Sequence, residues 1–193
     1  MNRLNGKVAV ITGANSGIGK RTAELFAEEG ADLVLVARRM EKLREVQQYC
    51  EGLGRKAVSV SADVSLYPDC RRVCQAAADV FGRIDILVNN AGVAYTTAKA
   101  AVIGMSKNAA IQFAGRGIRV NVVAPGPTPT SFNTPEQLAT FDREFAEICG
   151  RHFDDTVPET TADDQARTIL FFASDDSRGC NGQVIVVDNG RTI

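Results

Sequence analysis

Residues 8–19 read VAVITGANSGIG: a run suited to a buried strand, then a turn carrying Gly13, Gly17 and Gly19, then the start of an amphipathic stretch, KRTAELFAEEG. A β-branched run without polar alternation suits a strand covered on both faces. Glycines between such a strand and a helix let the backbone turn tightly and approach a pyrophosphate. The free N–H groups and positive end of the helix then attract its charge. Asn15, Ser16 and Ile18 lie on the same turn. Taken alone, the turn also fits any tight strand-to-helix connection, so its meaning depends on the rest of the chain.

The alternation repeats outward from this point. ADLVLVA follows as a second strand, a charged helix runs from Met40 to about Leu53, and KAVSVSADV is a third strand. A helix near Asp69 to Phe81 precedes IDILVNN, the fourth strand, and another helix spans about Tyr95 to Ala114 before the strand IRVNVVAP. A Pro-rich loop from Pro125 to about Pro135 leads to helical segments near Glu136 to Cys149 and Ala162 to Ala173, and QVIVVD closes the series. Strands alternating with helices of this length predict an α/β, doubly wound parallel sheet in one domain, residues 1–193.

Composition removes other classes. Apolar residues make up 45% of 193, enough for a full-sized core. The 22 Lys and Arg balance 23 Asp and Glu and are scattered, which argues against a nucleic-acid partner. No segment approaches the roughly 18 uninterrupted apolar residues of a membrane span, and the opening residues lack a signal-peptide pattern, so a cytoplasmic location is expected. Cys50, Cys70, Cys74, Cys149 and Cys180 are odd in number and irregularly spaced, as free thiols are. Cys70 and Cys74 have no third ligand nearby in the sequence, and His152 reads as a surface residue, so no metal site is expected.

The second strand ends at Arg38 and Arg39. An acidic residue at this place would bond the ribose hydroxyls of NAD, whereas a guanidinium pairs with the extra phosphate of NADP. NADP(H) is therefore expected over NAD(H).

The spacing Thr-Gly-x-x-x-Gly-x-Gly, at the first strand of a βαβ series, resembles the short-chain dehydrogenase/reductase family. Asp63 and Val64 match that family's adenine-contacting pair, and Asn89, Asn90, Ala91 and Gly92 match its Asn-Asn-Ala-Gly motif lining the cofactor cleft. Tyr95 and Lys99 match its catalytic Tyr-x-x-x-Lys; Pro125 and Gly126, with Thr128 or Thr130, resemble its segment at the nicotinamide carboxamide. The resemblance implies reduction of a small-molecule ketone, or oxidation of a secondary alcohol, by members such as the 3-oxoacyl reductases, which usually assemble as homo-oligomers. Residues four apart share a helix face, so the Lys99 ammonium can sit near the Tyr95 phenol and bring its pKa down from about 10.

One unit of the family pattern is absent. On the order of fifty residues, a helix and then a strand, ordinarily separate Asn-Asn-Ala-Gly from the catalytic Tyr, and here only Val93 and Ala94 do. With them goes the family's Ser that binds the substrate oxygen, and Ser106 lies too far along the helix to replace it. Removing one helix and one strand leaves an ordinary crossover, so a six-stranded sheet is expected to close, moving the reacting groups by roughly 4.8 Å. An error of about 1 Å already costs on the order of a hundredfold in rate. Two readings stay open: an NADP(H)-dependent oxidoreductase of doubtful catalytic competence, and a non-catalytic NADP(H)-binding protein or impaired, internally deleted form. The apolar side of AVIGMSKNAAIQFA is also expected to lose cover and to alter association.

Overall fold

The computed structural model describes residues 2–90, 95–130 and 154–191, with the side chains of all but 95–100. The expected helix near Glu136 to Cys149, residues 131–135 of the Pro-rich loop, Cys149 and His152 lie outside the described residues.

The first half alternates as its sequence predicts: β1 (Val8–Thr12), α1 (Gly17–Glu28), β2 (Asp32–Ala37), α2 (Met40–Gly52), β3 (Ala57–Ser61), α3 (Tyr67–Phe81) and β4 (Ile86–Val88). All its strands run parallel in the order β3-β2-β1-β4. Side chains alternate across a strand, and the two faces are visible residue by residue. Ala9, Ile11, Leu33 and Leu35 meet Phe26 of α1 and Leu43 and Val46 of α2, while Val10, Val34 and Val36 meet Val73 and Ala77 of α3. Burying a leucine or phenylalanine fully contributes about 1.5–3 kcal/mol, so this double cover fixes the register. Pro68 sits in the first turn of α3 and Gly82 ends it with φ +72°, starting the turn into β4.

The second half contains α4 (Tyr95–Phe113), a 3-10 turn at Ala114–Arg116, β5 (Val122–Pro125), α5 (Ala162–Ala173), a 3-10 turn at Asp175–Ser177 and β6 (Val184–Val187). Helix α5 begins with a capping box: Thr161 accepts from the Asp164 backbone N–H, and the Asp164 carboxylate accepts from that of Thr161. It packs along α1 and against β5 and β6, and Ala166 and Leu170 join the core of the first sheet. Arg21 of α1 donates to Asp163 at 2.6 Å and to Glu28 at 2.9 Å, and Tyr49 donates to Glu28 at 3.0 Å, tying α1, α2 and α5 at their rim.

The doubly wound α/β class stands, but the single six-stranded sheet does not. Among the described residues strands β5 and β6 pair only with each other, from Val122 with Val184 to Pro125 with Val187, and β4 pairs only with β1. A three-residue β4 offers few backbone bonds to draw β5 alongside, whereas α5 holds the β5–β6 pair through side-chain packing on α1. The second sheet is therefore attached by a helix rather than by a ladder. Leu87 in the middle of β4 remains 66% exposed.

None of the described side chains of helix α4 belongs to either core cluster. Among its described side chains Ala110 is buried, while Val102, Met105 and Ile111 are exposed.

Candidate functional site

The carboxyl ends of β1 and β4 lie side by side, with Ile11 opposite Val88, and Thr12 stitches them together. Its hydroxyl lies 3.2 Å from Asn89 Oδ1 and accepts from the Asn90 backbone N–H at 2.9 Å. The glycine turn leaves β1 at this point. Gly13 and Gly17 have φ of +67° and +54°, a region costly for any residue with a Cβ. Gly19 answers a different need: a Cβ there would stand 2.3 Å from the Gly13 carbonyl oxygen and 2.6 Å from Asn90 Nδ2. The turn, the start of α1 and the end of β4 thus touch at backbone distance.

The amino end of α1 has no cap from its own N-cap side chain. Ser16 occupies the cap position without a side-chain cap bond, and the first turn carries no acidic residue. The contrast with the fully capped α5 is informative, since unsatisfied N–H groups at a helix start form an anion-binding site. Asn15, Ser16 and Ile18 are half-buried around it. On its other side comes Thr130, whose Cβ and Cγ2 lie 3.1 Å from where a Cβ on Gly17 would be. Two stretches more than a hundred residues apart in sequence therefore meet over the turn.

At the end of β2, Arg38 and Arg39 are exposed, and among the described residues neither forms an ion pair with a carboxylate. The Ser61 hydroxyl donates to the Arg38 carbonyl at 3.1 Å, fastening the β2 end to β3. Asp63 accepts from the Ser65 N–H and hydroxyl, bonds that hold its carboxyl below the usual range, with Arg38 adding a smaller electrostatic pull. Val64 packs half-buried against the α3 face of the sheet.

At the other end of the cleft, Gly126 fits where a Cβ would collide at 2.4 Å with Asp188 Cβ, and its N–H donates to the Val187 carbonyl at 2.9 Å. Thr128 bonds Thr160 at 3.0 Å. Tyr95 and Lys99 share one face of the first turns of α4, their side chains lying outside the described residues, as do Ala91 and Gly92 altogether. Among the described residues no cluster of His, Cys, Asp or Glu fits a metal. No helix of the described chain is long and apolar enough to cross a membrane. Thr12 is the threonine of the Thr-Gly-x-x-x-Gly-x-Gly spacing, and its stitching of β1 to β4 adds a role to it. Thr160 and Gln165 were outside the motif reading, and neither carries a signal in the sequence.

Residues 7–94 match the family model "short chain dehydrogenase", and residues 93–192 match a second model described as "Enoyl-(Acyl carrier protein) reductase". The chain belongs to the short chain dehydrogenase family. A 3-oxoacyl-(acyl-carrier-protein) reductase of Thermotoga maritima is 32% identical, over 99% of this chain and 100% of the relative. A short chain dehydrogenase of Mycobacterium paratuberculosis bound to NAD is 25% identical and superposes with a TM-score of 0.90, covering 98% of this chain and 99% of that one. One from Burkholderia cenocepacia in complex with NADP is 27% identical with a TM-score of 0.84, covering 98% and 99%.

The Thermotoga maritima alignment also measures what this short chain dehydrogenase lacks. It runs over 253 positions, of which a chain of 193 residues supplies at most 193, so at least 60 have no counterpart here. The two family models meet at residues 93 and 94, between β4 and α4. That is the junction at which the ladder between β4 and β5 is missing.

Proposed function

We propose that this short chain dehydrogenase binds NADP(H) in preference to NAD(H) and that residues 1–193 act as one nucleotide-binding domain. The pyrophosphate lies on the turn of Gly13, Asn15, Ser16, Gly17, Ile18 and Gly19. Arg38, with Arg39, takes the 2′-phosphate; Asp63 and Val64 border the adenine; Asn89 to Gly92 line the cleft. Pro125, Gly126, Thr128 and Thr130 border the nicotinamide. The turn fits the group because Gly13 and Gly17 take the left-handed φ it needs and Gly19 lets the start of α1 close against the Gly13 carbonyl, so that backbone N–H groups can surround a pyrophosphate.

One observation carries the choice of nucleotide: Arg38, at the end of β2, is exposed and unpaired by any carboxylate among the described residues. The structural relatives include both an NAD and an NADP complex, so the fold itself is neutral. Hydrogen bonds to charged groups contribute about 1.5–3 kcal/mol, or roughly 10- to 150-fold in affinity. Arg38→Ala should weaken NADPH binding by that factor and leave NADH nearly unchanged. Equal losses for both would remove the preference.

The reaction assigned to the site is interconversion of a ketone and a secondary alcohol. The nicotinamide supplies or accepts hydride at carbon when bound. Tyr95 holds the proton exchanged with the substrate oxygen, and Lys99 stabilises the phenolate. A second reading is favoured by a specific observation: among the described residues β4 and β5 are not laddered, and this chain is at least 60 positions short of its alignment with a reductase relative. The substrate side of the cleft is then incomplete, and the protein is a nucleotide binder of low or no turnover. NADPH oxidation measured with 3-oxoacyl thioesters and simple ketones separates the two. Turnover of any of them supports the oxidoreductase, while tight binding without turnover selects the binder. Self-association through Val102, Met105 and Ile111 of α4 belongs to the same reading, with sedimentation as its test.

A further inference from the structure

We infer that Gln165 is a positioning residue for the nucleotide site, setting the height of Thr130 over the glycine turn without touching the nucleotide. This rests on the cofactor reading above.

Gln165 is on α5, wholly buried, and lies in a polar knot where three parts of the second half converge. Its amide nitrogen donates to the Val187 carbonyl at the end of β6 at 2.8 Å and to Thr160 Oγ1 at 2.9 Å, with Thr128 Oγ1 at 3.4 Å. An amide has two hydrogens, so the two short bonds define it. Thr160 is also buried and reaches the Pro127 carbonyl at 3.4 Å, and Thr128 donates to the Gly126 carbonyl at 3.0 Å. The knot therefore grips the segment Gly126–Thr128 from beneath.

What it grips is stiff. Pro127 and Pro129 flank Thr128, each with φ held near −65°, and each restricts the residue before it to extended conformations. A shift at Thr128 is passed to Thr130 with little slack, and Thr130 stands against Gly17. The same knot thus links α5 to the turn on which the pyrophosphate rests.

Two features separate this role from ordinary packing. Gln165 Oε1 is buried without a hydrogen-bond partner among the described residues, a cost that an apolar side chain of similar shape would remove. Every partner of the amide also keeps another bond: Val187 O still accepts from the Gly126 N–H, and Thr128 and Thr160 still bond each other. The polar group is dispensable for stability while determining where the loop sits.

The test is Gln165→Met, nearly isosteric and without donors, measured by NADPH fluorescence titration and thermal melting. The expected result is binding weakened about tenfold, as for a small displacement of a site group, with Tm moved by less than about 3 °C. Thr160→Val should act in the same direction, and its effect should be non-additive with that of Gln165→Met because both release one segment. Wild-type protein that binds neither NADPH nor NADH would overturn the nucleotide reading and this role with it. Wild-type protein that binds, with both variants at wild-type affinity, would overturn the positioning role alone. A large fall in Tm with unaltered affinity of the folded protein would likewise reduce Gln165 to packing.

Discussion

Replacing Gly19 with alanine tests the cradle directly. Alanine favours a helix by roughly 0.5–1 kcal/mol over glycine, and Gly19 lies in the first turn of α1, so propensity alone predicts a gain. The geometry opposes it. The added Cβ would sit 2.3 Å from the Gly13 carbonyl oxygen and 2.6 Å from Asn90 Nδ2, and the first of these belongs to backbone that cannot rotate away. Restoring an ordinary contact requires the turn and the helix start to part by most of an ångström. Overpacking of this kind costs about 1–3 kcal/mol, which exceeds the propensity gain at all but its lower limit. The distortion falls on the pyrophosphate seat, so NADPH affinity should drop roughly 5- to 150-fold. Gly52→Ala is the control: it lies in α2 with nothing within 4 Å of the added atom, and it should raise stability by roughly 0.5–1 kcal/mol without changing affinity. A Gly19→Ala protein that binds NADPH like wild type would refute the reasoning.

Three further outcomes are expected. Arg21 holds the carboxyls of Glu28 and Asp163 below their ordinary 4.5 and 3.8. The unfolded chain therefore binds more protons in acid, so stability should be present above those values and fall as pH drops through and below them, with Asp163→Asn flattening the decline of Tm. Burial pushes the Cys50 thiol up to about 12 whereas Cys74 is exposed, so a thiol reagent followed by peptide mapping should label Cys74 in the native state and Cys50 only on unfolding. Grafting a helix-and-strand segment of a reductase relative between Val93 and Ala94 should raise turnover of 3-oxoacyl thioesters well above the ungrafted chain, and an inactive but well-folded graft would count against the missing unit as the cause of any deficit.

The first half of the molecule was legible because its strands are buried on both faces. A run such as LVLVA has few alternatives, and glycines at 13, 17 and 19 announce the turn between strand and helix. The break between β4 and β5 was not legible, because strand pairing is a tertiary outcome: IDILVNN and IRVNVVAP look equally ready to pair, and it is the grip of α5 on α1 that decides where β5 settles. Gln165 illustrates a second blindness. In ADDQARTILFFA it reads as one more polar residue on a surface helix, and only the approach of Thr128, Thr160 and Val187 from distant parts of the chain gives it a role. Arg119 is similar, an unremarkable residue in IRVNVV whose guanidinium donates to the carbonyls of Phe172, Ser174 and Ser177, closing the carboxyl end of α5.

Attachment of the β5–β6 pair through a helix has a consequence for how the molecule comes apart. A continuous sheet transmits cooperativity from edge to edge, so its strands are lost together. Here the joint is a seam of side chains between α1 and α5, edged by the Arg21–Asp163 ion pair. Such a seam opens at lower free energy than a sheet core unfolds. The carboxyl-terminal block should then exchange its amide protons by swinging loose while β1 and β2 stay protected, and a ligand that clasps Gly17 and Thr130 together would act as the bolt across that seam.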